Sequence, residues 1–277
     1  MDFPPDRYAT VEEHHVRYWQ EGAGPAIVLV HGLANSVITW RKNVEALSRN
    51  SRVIALDLPG HGLSDMPKVR FGLPEGAAFV ASFLDEIGVD RAHLVGNSMG
   101  GAVALELALA RPERTASLTL ADSAGLGREI SLVLRLGSLP LLGEYARRPT
   151  LKGVRNLVRW LVHDPNLVDE DELPLRLSYL KREGSAQALL RFLRTGVGLF
   201  GQRPATRRDA VLPSVSVPTL IVWGAQDPLF PVRQAERAAH AIPGATLEVF
   251  DRCGHWPQYE HPGEFNRLLG EFVGSVV

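Results

Sequence analysis

A serine placed between two glycines is the clearest chemical feature of this sequence. Gly96, Ser98 and Gly100 form a Gly-x-Ser-x-Gly pattern, which follows the apolar run 92–95 and leads directly into the helical pattern 99–110. A strand that turns sharply into a helix at such a serine exposes the hydroxyl beside the free N–H groups of the helix. Side chains at the two glycines would collide with the neighbouring strand and helix. The pattern therefore predicts that Ser98 is a nucleophile.

A serine hydroxyl needs a general base at neutral pH, and the sequence offers nine histidines. His255 follows the apolar run 246–250 and precedes the helical pattern 262–273. This position brings it to the same end of a parallel sheet as Ser98, so we predict that His255 is the base. His14, His15, His163 and His240 fall in an edge strand or in helices and are interpreted as solvated, while His61 falls in another loop and is interpreted as structural, and His261 as part of a helix start.

An acidic residue must hold the imidazole in the correct tautomer, and two aspartates compete for this role. Asp227 follows the apolar run 218–223, and the chain order Ser98, Asp227, His255 is the order expected after a serine on this kind of turn. Asp122 follows the preceding apolar run, and a carboxylate there could also reach the histidine. We favour Asp227 and keep Asp122 as the rival, whose other role would be to cap the chain where it leaves the sheet.

A tetrahedral intermediate also needs hydrogen-bond donors for its developing negative charge. The backbone N–H of Met99, next after the nucleophile, is one candidate. The second is the backbone N–H of Leu33, in the loop that follows the apolar run 26–30, where Gly32 lets the chain pass close to a substrate.

Short apolar runs alternate along the chain with helical patterns, and this alternation indicates how the candidate residues are positioned. Continuous apolar runs are typical of strands buried on both faces, and a strand–helix alternation predicts a mostly parallel sheet with helices on both sides. A looser alternation at 11–19 predicts one edge strand. The apolar runs are 26–30, 52–56, 92–95, 117–121, 218–223 and 246–250, and the helical patterns are 75–87, 99–110, 232–241 and 262–273.

The alternation stops between residues 125 and 212, where the spacing becomes helical at 153–162 and 174–182. We interpret 125–212 as a helical insertion, and 1–124 with 213–277 as one α/β core domain. The insertion contains 13 arginines and two lysines against nine acidic residues, an excess of six positive charges. Solvated helix faces explain this excess most simply, and attraction of anionic substrates is the alternative.

Composition excludes several other classes of protein. The 277 residues carry a formal net charge of −1, which does not favour binding to nucleic acid or to a membrane surface. The single cysteine, Cys253, cannot form an intramolecular disulfide, and the sequence contains no apolar run of membrane-spanning length and no pattern of a secretory signal. We therefore expect a cytoplasmic protein with a small-molecule substrate, with no metal and no cofactor. The sequence does not indicate an oligomeric state.

These motifs together resemble the α/β-hydrolase superfamily over nearly the whole chain. The resemblance implies a serine hydrolase of that fold, with the insertion forming a helical cap after the sixth strand. The motifs are His31-Gly32, the turn 57–64, the segment 96–101, Asp227 and Gly254-His255.

A narrower resemblance is to the meta-cleavage-product hydrolases, which cut a carbon–carbon bond in vinylogous 1,5-diketones. It implies that Asn97 and Trp256 line the site and that Arg176, in the insertion, binds the acidic end of the substrate. The alternative for Arg176 is a structural salt bridge. The loop Leu33-Ala34-Asn35-Ser36 departs from the Gly/Pro-rich loop of that family and is more similar to esterases and lactonases. The segments that carry the resemblance are 96–101, 253–256, 260–261 and 264–266.

The function predicted first is hydrolysis of carboxylic esters through an acyl-enzyme, that is, a carboxylesterase. The alternatives are carbon–carbon hydrolysis of the meta-cleavage type, lactone hydrolysis and, outside enzymes, a small-molecule receptor that keeps the triad. The substrate is not evident from the sequence, because the insertion and the loops shape the pocket.

Overall fold

The computed structural model describes residues 3–67, 72–146 and 149–276. Strands and helices alternate along the chain on either side of a helical segment, as the sequence predicts. The strands are β1 (Arg7–Val11), β2 (His14–Glu21), β3 (Ala26–Val30), β4 (Arg52–Leu56), β5 (Ala92–Asn97), β6 (Thr115–Ala121), β7 (Val197–Gly198), β8 (Gly201–Gln202), β9 (Thr219–Gly224) and β10 (Thr246–Phe250). The helices are α1 (Val44–Leu47), α2 (Leu73–Glu86), α3 (Met99–Ala110), α4 (Leu132–Gly137), α5 (Leu142–Ala146), α6 (Leu151–Leu161), α7 (Leu173–Leu180), α8 (Ser185–Gly196), α9 (Arg233–Ala241), α10 (Pro257–Glu260) and α11 (Pro262–Ser275).

Eight strands form one sheet in the order β1-β2-β4-β3-β5-β6-β9-β10. The strands β4, β3, β5, β6, β9 and β10 are parallel to one another, while β2 is antiparallel to both β1 and β4. Parallel strands end at the same edge of the sheet, so the loops after β3, β5, β6, β9 and β10 meet there. The mostly parallel α/β-hydrolase fold expected from the sequence is confirmed.

Alternate residues of the inner strands pack into two hydrophobic clusters, one on each side of the sheet. In β3, Val28 and Val30 belong to one cluster, while Ile27 and Leu29 belong to the other. Because successive side chains of a strand point to opposite faces, this division explains why the inner strands are continuously apolar. The paired clusters give the site a rigid support.

Two sequence expectations for the sheet edges need correction. The single edge strand expected at 11–19 is a hairpin of β1 and β2, whose turn residues Glu12 and Glu13 have φ values of 47° and 67°. Two glutamates carry no turn signal, which is why the hairpin was missed. The run 246–250 was expected to be buried on both faces, but β10 is an edge strand with mostly exposed residues.

The segment between β6 and β9 contains α4 to α8 and the short hairpin β7–β8. The β7–β8 hairpin is a third difference from expectation, because strand formation was predicted to stop throughout this insertion. Each of its strands has two residues, which is too short to produce a pattern of alternation. The predicted boundaries of a cap at residues 125 and 212 stay predictions. None of the described helices is long and apolar enough to cross a membrane.

Candidate active site

Ser98 occupies a sharp turn between β5 and α3. Its backbone has φ 57° and ψ −121°, a conformation that L-residues rarely adopt. A Cβ atom at Gly96 would lie 2.3 Å from the carbonyl oxygen of Gly100, and one at Gly100 would lie 2.2 Å from that of Val30. Both glycines are therefore required for the close approach of strand and helix at this turn, as predicted.

His255 and Asp227 meet at the same edge of the sheet. Asp227 lies in the loop after β9 and His255 in the loop after β10, with 3.0 Å between His255 Nδ1 and Asp227 Oδ2. The other carboxylate oxygen of Asp227 accepts a hydrogen bond of 2.7 Å from the backbone N–H of Leu229. Both side chains are almost entirely buried. These contacts hold the imidazole with Nδ1 toward Asp227 and leave Nε2 for another partner.

The loop that carries His255 is held by Glu260, a residue to which the sequence reasoning gave no role. The Glu260 carboxylate accepts hydrogen bonds from the backbone N–H groups of Gly254, Trp256 and His163. Burial raises the pKa of the Glu260 carboxyl, whereas these hydrogen bonds act in the opposite direction. No motif signals this function, because its partners are backbone groups on two separate segments.

Asp122, the rival for the acid, lies in the same group. One side-chain atom each of Asp122, Asp227 and His255 can be chosen so that all three lie within 4.8 Å of one another. Asp122 Oδ1 accepts a hydrogen bond of 3.1 Å from the backbone N–H of Gly224. The carboxylate in hydrogen-bond contact with His255 is that of Asp227.

The loop after β3 passes directly over Ser98. A Cβ atom at Gly32 would lie 2.9 Å from Ser98 Cβ and 3.4 Å from its Oγ. Within the described ranges, the N–H groups of Leu33 and Met99 have no acceptor, so both are available to a bound oxyanion. The two predicted donors therefore lie on the two segments that adjoin the Ser98 hydroxyl.

His31 fixes the entry to this loop. Its Nδ1 donates to the carbonyl oxygen of Gly32 at 2.7 Å, and its Nε2 accepts from the backbone N–H of Leu58 at 3.1 Å. Burial lowers the pKa of His31 to about 4, so the ring is neutral at physiological pH. One nitrogen donates and the other accepts, which is possible only for the neutral imidazole. His31 therefore acts as a structural link between the loops after β3 and β4.

A large cavity opens beside Ser98, with about 750 Å³ of empty space including its mouth. Its described lining contains no charged residue, and its polar members besides Ser98 are threonines and one glutamine. The glutamine, Gln202, uses its side chain to bind the backbone of Gly125 and Gly127. The helical insertion contributes about half of the wall. The apolar residues from the insertion are Ile130, Leu134, Phe192, Leu193 and Val197.

The three residues expected to bind substrate do not line this cavity. Asn97 is fully buried, and its amide group donates to the backbone carbonyls of Ala121 and His255, each at 3.1 Å. It therefore connects the end of β5 to the loop of His255. The guanidinium carbon of Arg176 lies over the Trp256 ring, 5.2 Å from the ring centroid.

Arg176 lines a second and smaller cavity, with about 270 Å³ of empty space including its mouth, together with Asn35 and His61. Its guanidinium donates to Glu172 Oε2 through Nε (3.2 Å) and Nη2 (3.0 Å), and to Asn35 Oδ1 through Nη1 (2.8 Å). Burial lowers its pKa to about 10, so it stays charged at neutral pH. The loop 33–36 contributes to both cavities, since Leu33 lines the large one and Asn35 the small one.

The close approach of Gly32 to Ser98 predicts that Gly32→Ala will inactivate the site without unfolding the protein. The added methyl group must displace the loop that carries the Leu33 N–H, and the loss of one oxyanion donor costs roughly 10²–10³-fold in kcat. The measurement is the rate on a p-nitrophenyl ester together with the melting temperature. Gly270→Ala is the matched control, because a Cβ there meets no atom within 4 Å. A Gly32→Ala protein with unchanged kcat would exclude the loop as the source of an oxyanion donor.

A strand–turn–helix serine, a histidine–aspartate pair and an apolar cavity at the carboxyl edge of a parallel sheet define a hydrolase of the α/β type. Comparison with known proteins agrees: the family described as alpha/beta hydrolase fold matches residues 25–262. The chain belongs to this family.

Individual relatives cover almost all of the chain. It is 34% identical over 94% of its length to a 2-hydroxy-6-oxononadienedioate/2-hydroxy-6-oxononatrienedioate hydrolase of Burkholderia vietnamiensis, covering 91% of that protein. It is 35% identical over 97% of its length to the dihydrolipoyllysine-residue acetyltransferase component of the acetoin cleaving system of Cupriavidus necator, of which it covers 69%. Among known structures, a meta-cleavage product hydrolase from Pseudomonas fluorescens IP01 superposes with a TM-score of 0.85, at 26% identity and 98% coverage of both chains.

Proposed function

We propose that this protein hydrolyses a carbon–carbon bond in a vinylogous 1,5-diketone that carries an apolar acyl group, with Ser98, His255 and Asp227 as the triad. The observation that carries the proposal is a pair of cavities that share the loop 33–36, a large apolar one beside Ser98 and a small one lined by Arg176. The names of the relatives from Burkholderia vietnamiensis and Pseudomonas fluorescens support this reaction class. Carbon–carbon hydrolysis, which the sequence suggested only as an alternative, is therefore proposed ahead of simple ester hydrolysis.

The two cavities suit the two ends of such a substrate. The acyl group fits the large cavity beside Ser98, where burial of an apolar substituent is favourable. The acidic dienoate end is directed to the small cavity, where Arg176 supplies a guanidinium. The carbonyl to be attacked then lies between the two, at the loop of Leu33.

The reaction follows from the positions of these groups. Ser98 attacks the ketone carbonyl while His255 accepts the hydroxyl proton, and the N–H groups of Leu33 and Met99 stabilise the oxyanion. In the diketone tautomer of the substrate, the carbon–carbon bond then breaks, and its electron pair is delocalised into the conjugated second carbonyl. His255 returns the proton to the leaving carbon chain. Water, activated by His255, hydrolyses the acyl-enzyme, so that one water is consumed for each bond broken.

The acyl group should be apolar, unlike that implied by the name of the Burkholderia vietnamiensis relative. That name denotes a diacid, whose second carboxylate would have to enter the large cavity. The described lining of that cavity offers no cation to receive it. Burial of an unpaired carboxylate is costly, so a phenyl or alkyl substituent should be preferred.

Hydrolysis of carboxylic esters is the second candidate, and the ion pair between Arg176 and Glu172 favours it. Glu172, which is 1% exposed, already pairs with this guanidinium, so an acidic substrate would have to compete with a buried carboxylate. An ester needs only the triad, the oxyanion donors and the apolar cavity.

The deciding experiment compares kcat/KM on three substrates with the same enzyme preparation. They are a 2-hydroxy-6-oxo-dienoate with a phenyl group at the reacting ketone, the same dienoate with a carboxyethyl group there, and p-nitrophenyl butyrate. We expect the phenyl dienoate to have the highest kcat/KM. If kcat/KM for p-nitrophenyl butyrate exceeds that for the phenyl dienoate by tenfold or more, the function is ester hydrolysis. Single-turnover behaviour on all three substrates would indicate a receptor.

Arg176 offers a test of how the dienoate binds. Replacement by glutamine should lower kcat/KM for the phenyl dienoate by about 10- to 150-fold, the equivalent of about 1.5–3 kcal/mol for a hydrogen bond to a charged group. Lysine should not rescue it, because it cannot form two parallel hydrogen bonds. The matched measurement uses p-nitrophenyl butyrate, which should be hydrolysed at nearly the wild-type rate. Equal losses on both substrates would mean that the contacts with Glu172 and Asn35 are structural.

A further inference from the structure

We propose that Asp122 is a positioning residue for the catalytic pair: as a neutral carboxylic acid, it donates a hydrogen bond to the Asp227 carboxylate. The inference rests on the triad of the proposed function but not on the identity of the substrate. It differs from both earlier readings of Asp122, as the rival partner of His255 and as a cap at the end of β6.

The first argument is the unequal use of the two Asp122 oxygens. Oδ1 accepts from the Gly224 N–H, while Oδ2 is buried and accepts no hydrogen bond from the described parts of the chain. The residue is fully buried, and an unpartnered anionic oxygen at such a place is strongly unfavourable. A proton on Oδ2 removes the charge and turns this oxygen into a donor.

The second argument is the identity of the nearest groups. Asp122 follows β6 and Asp227 follows the adjacent strand β9, and side-chain atoms of the two lie within 4.8 Å of each other. Two neighbouring buried carboxylates cannot both ionise without large repulsion. Asp227 is in contact with His255 and accepts from the Leu229 N–H, so it is the member that keeps the charge. The proton consequently stays on Asp122.

The electrostatic surroundings agree with this assignment. Burial, followed by the Asp227 carboxylate, raises the pKa of Asp122 well above its usual range. The other titratable groups that act on this cluster are Glu260 and Cys253, and neither supplies a positive charge to Asp122. His255 is the cationic partner once it has accepted the Ser98 proton, and Asp227 lies in contact with it.

A neutral donor at this place has two effects on the triad. It restrains the Asp227 carboxylate so that Oδ2 stays in line with His255 Nδ1. It also limits the charge beside the imidazole to a single negative unit. The imidazolium formed in the reaction is then stabilised but can still donate its proton to the leaving group.

The test compares Asp122→Asn, which retains a donor, with Asp122→Leu, which has a similar size and no donor. Triad reactivity is read as the rate at which a fluorophosphonate probe modifies Ser98, over a range of pH, so that no natural substrate is needed. We expect Asp122→Leu to react with the probe at least about tenfold more slowly. The low-pH limb of its pH–rate profile should also move to higher pH, because the full charge of Asp227 then faces the imidazolium. Asp122→Asn should recover most of the lost rate.

Two further measurements detect the proton itself. The infrared spectrum at neutral pH should contain a protonated-carboxyl C=O band that disappears in Asp122→Asn and persists in the surface control Asp251→Asn. Because the pKa of Asp122 is raised on folding, the native state holds a proton that the unfolded chain releases, and wild-type stability falls as pH rises above the ordinary aspartate pKa. Asp122→Asn lacks this proton, so its melting temperature relative to wild type should be higher at pH 8 than at pH 5.

These outcomes separate the inference from the proposed function. If the probe reacts as expected but the dienoate is not turned over, the substrate assignment fails and the role of Asp122 stands. If Asp122→Asn is as slow as Asp122→Leu and no infrared band is lost, Asp122 is ionised and the inference is overturned. Should Asp122→Leu fail to fold, the infrared band and the pH dependence of Asp122→Asn still decide the question.

Discussion

Replacing Ser98 with alanine is expected to lower kcat by a factor on the order of 10⁶ while the protein stays folded. In the proposed mechanism the hydroxyl forms the acyl-enzyme, and neither the oxyanion donors nor the cavity can replace it. The side chain is small and partly accessible from the cavity, so its removal leaves no large void. Turnover of p-nitrophenyl butyrate and of the phenyl dienoate, with the melting temperature, is the measurement.

Ser178→Ala is the matched control for this variant. Ser178 is an exposed serine of α7 whose hydroxyl donates to the Leu175 carbonyl, and it should keep the wild-type rate and the labelling by a fluorophosphonate probe. Near-normal activity of Ser98→Ala on every substrate that the wild type accepts would refute the assignment of the nucleophile. If the variant binds the dienoate but shows no turnover, substrate binding and chemistry are separable in this site.

Asp227→Asn should lower kcat by a factor on the order of 10⁴, the second largest effect that we expect. The Asp227 carboxylate holds the N–H at His255 Nδ1, so an amide in its place favours the tautomer with Nδ1 unprotonated. His255 Nε2 would then carry a hydrogen and could not accept the Ser98 proton. The variant is measured by steady-state kinetics beside Asp122→Asn, which should cost about tenfold or less.

The ranking of these two variants is the decisive result. A larger loss in Asp122→Asn than in Asp227→Asn would move the triad acid from the loop after β9 to the end of β6. Asp251→Asn, a surface change in the loop after β10, controls for the removal of a carboxylate near this edge of the sheet.

The sheet was largely predictable because its inner strands are buried on both faces. The runs 26–30 and 52–56 coincide with β3 and β4, and the helical pattern 99–110 coincides with α3. Local pattern failed elsewhere: the hairpin of β1 and β2 turns at two glutamates, and β7 and β8 are too short for a pattern.

The sequence also indicated which residues approach one another at the site. Chain order and the ends of the apolar runs identified Ser98, Asp227 and His255, and the structure brings the last two into contact, as a parallel sheet requires. The sequence did not indicate which contacts Asn97, Trp256 and Arg176 make. Asn97 supports the backbone of His255, and Arg176 is paired with Glu172 and Asn35.

What the sequence by itself determined is the strand–turn–helix context of Ser98 and the chain order of Ser98, Asp227 and His255, because glycine spacing and strand ends are local properties. Only the tertiary structure decided which cavity Arg176 lines, that Glu260 holds the His255 loop, and that Asp122 lies beside Asp227. Most of these contacts join residues that are far apart in the sequence, and Glu260, which acts within its own loop, also reaches His163 of the insertion. The effect of a buried charge depends on its neighbours in space, and short-range patterns carry no information about them.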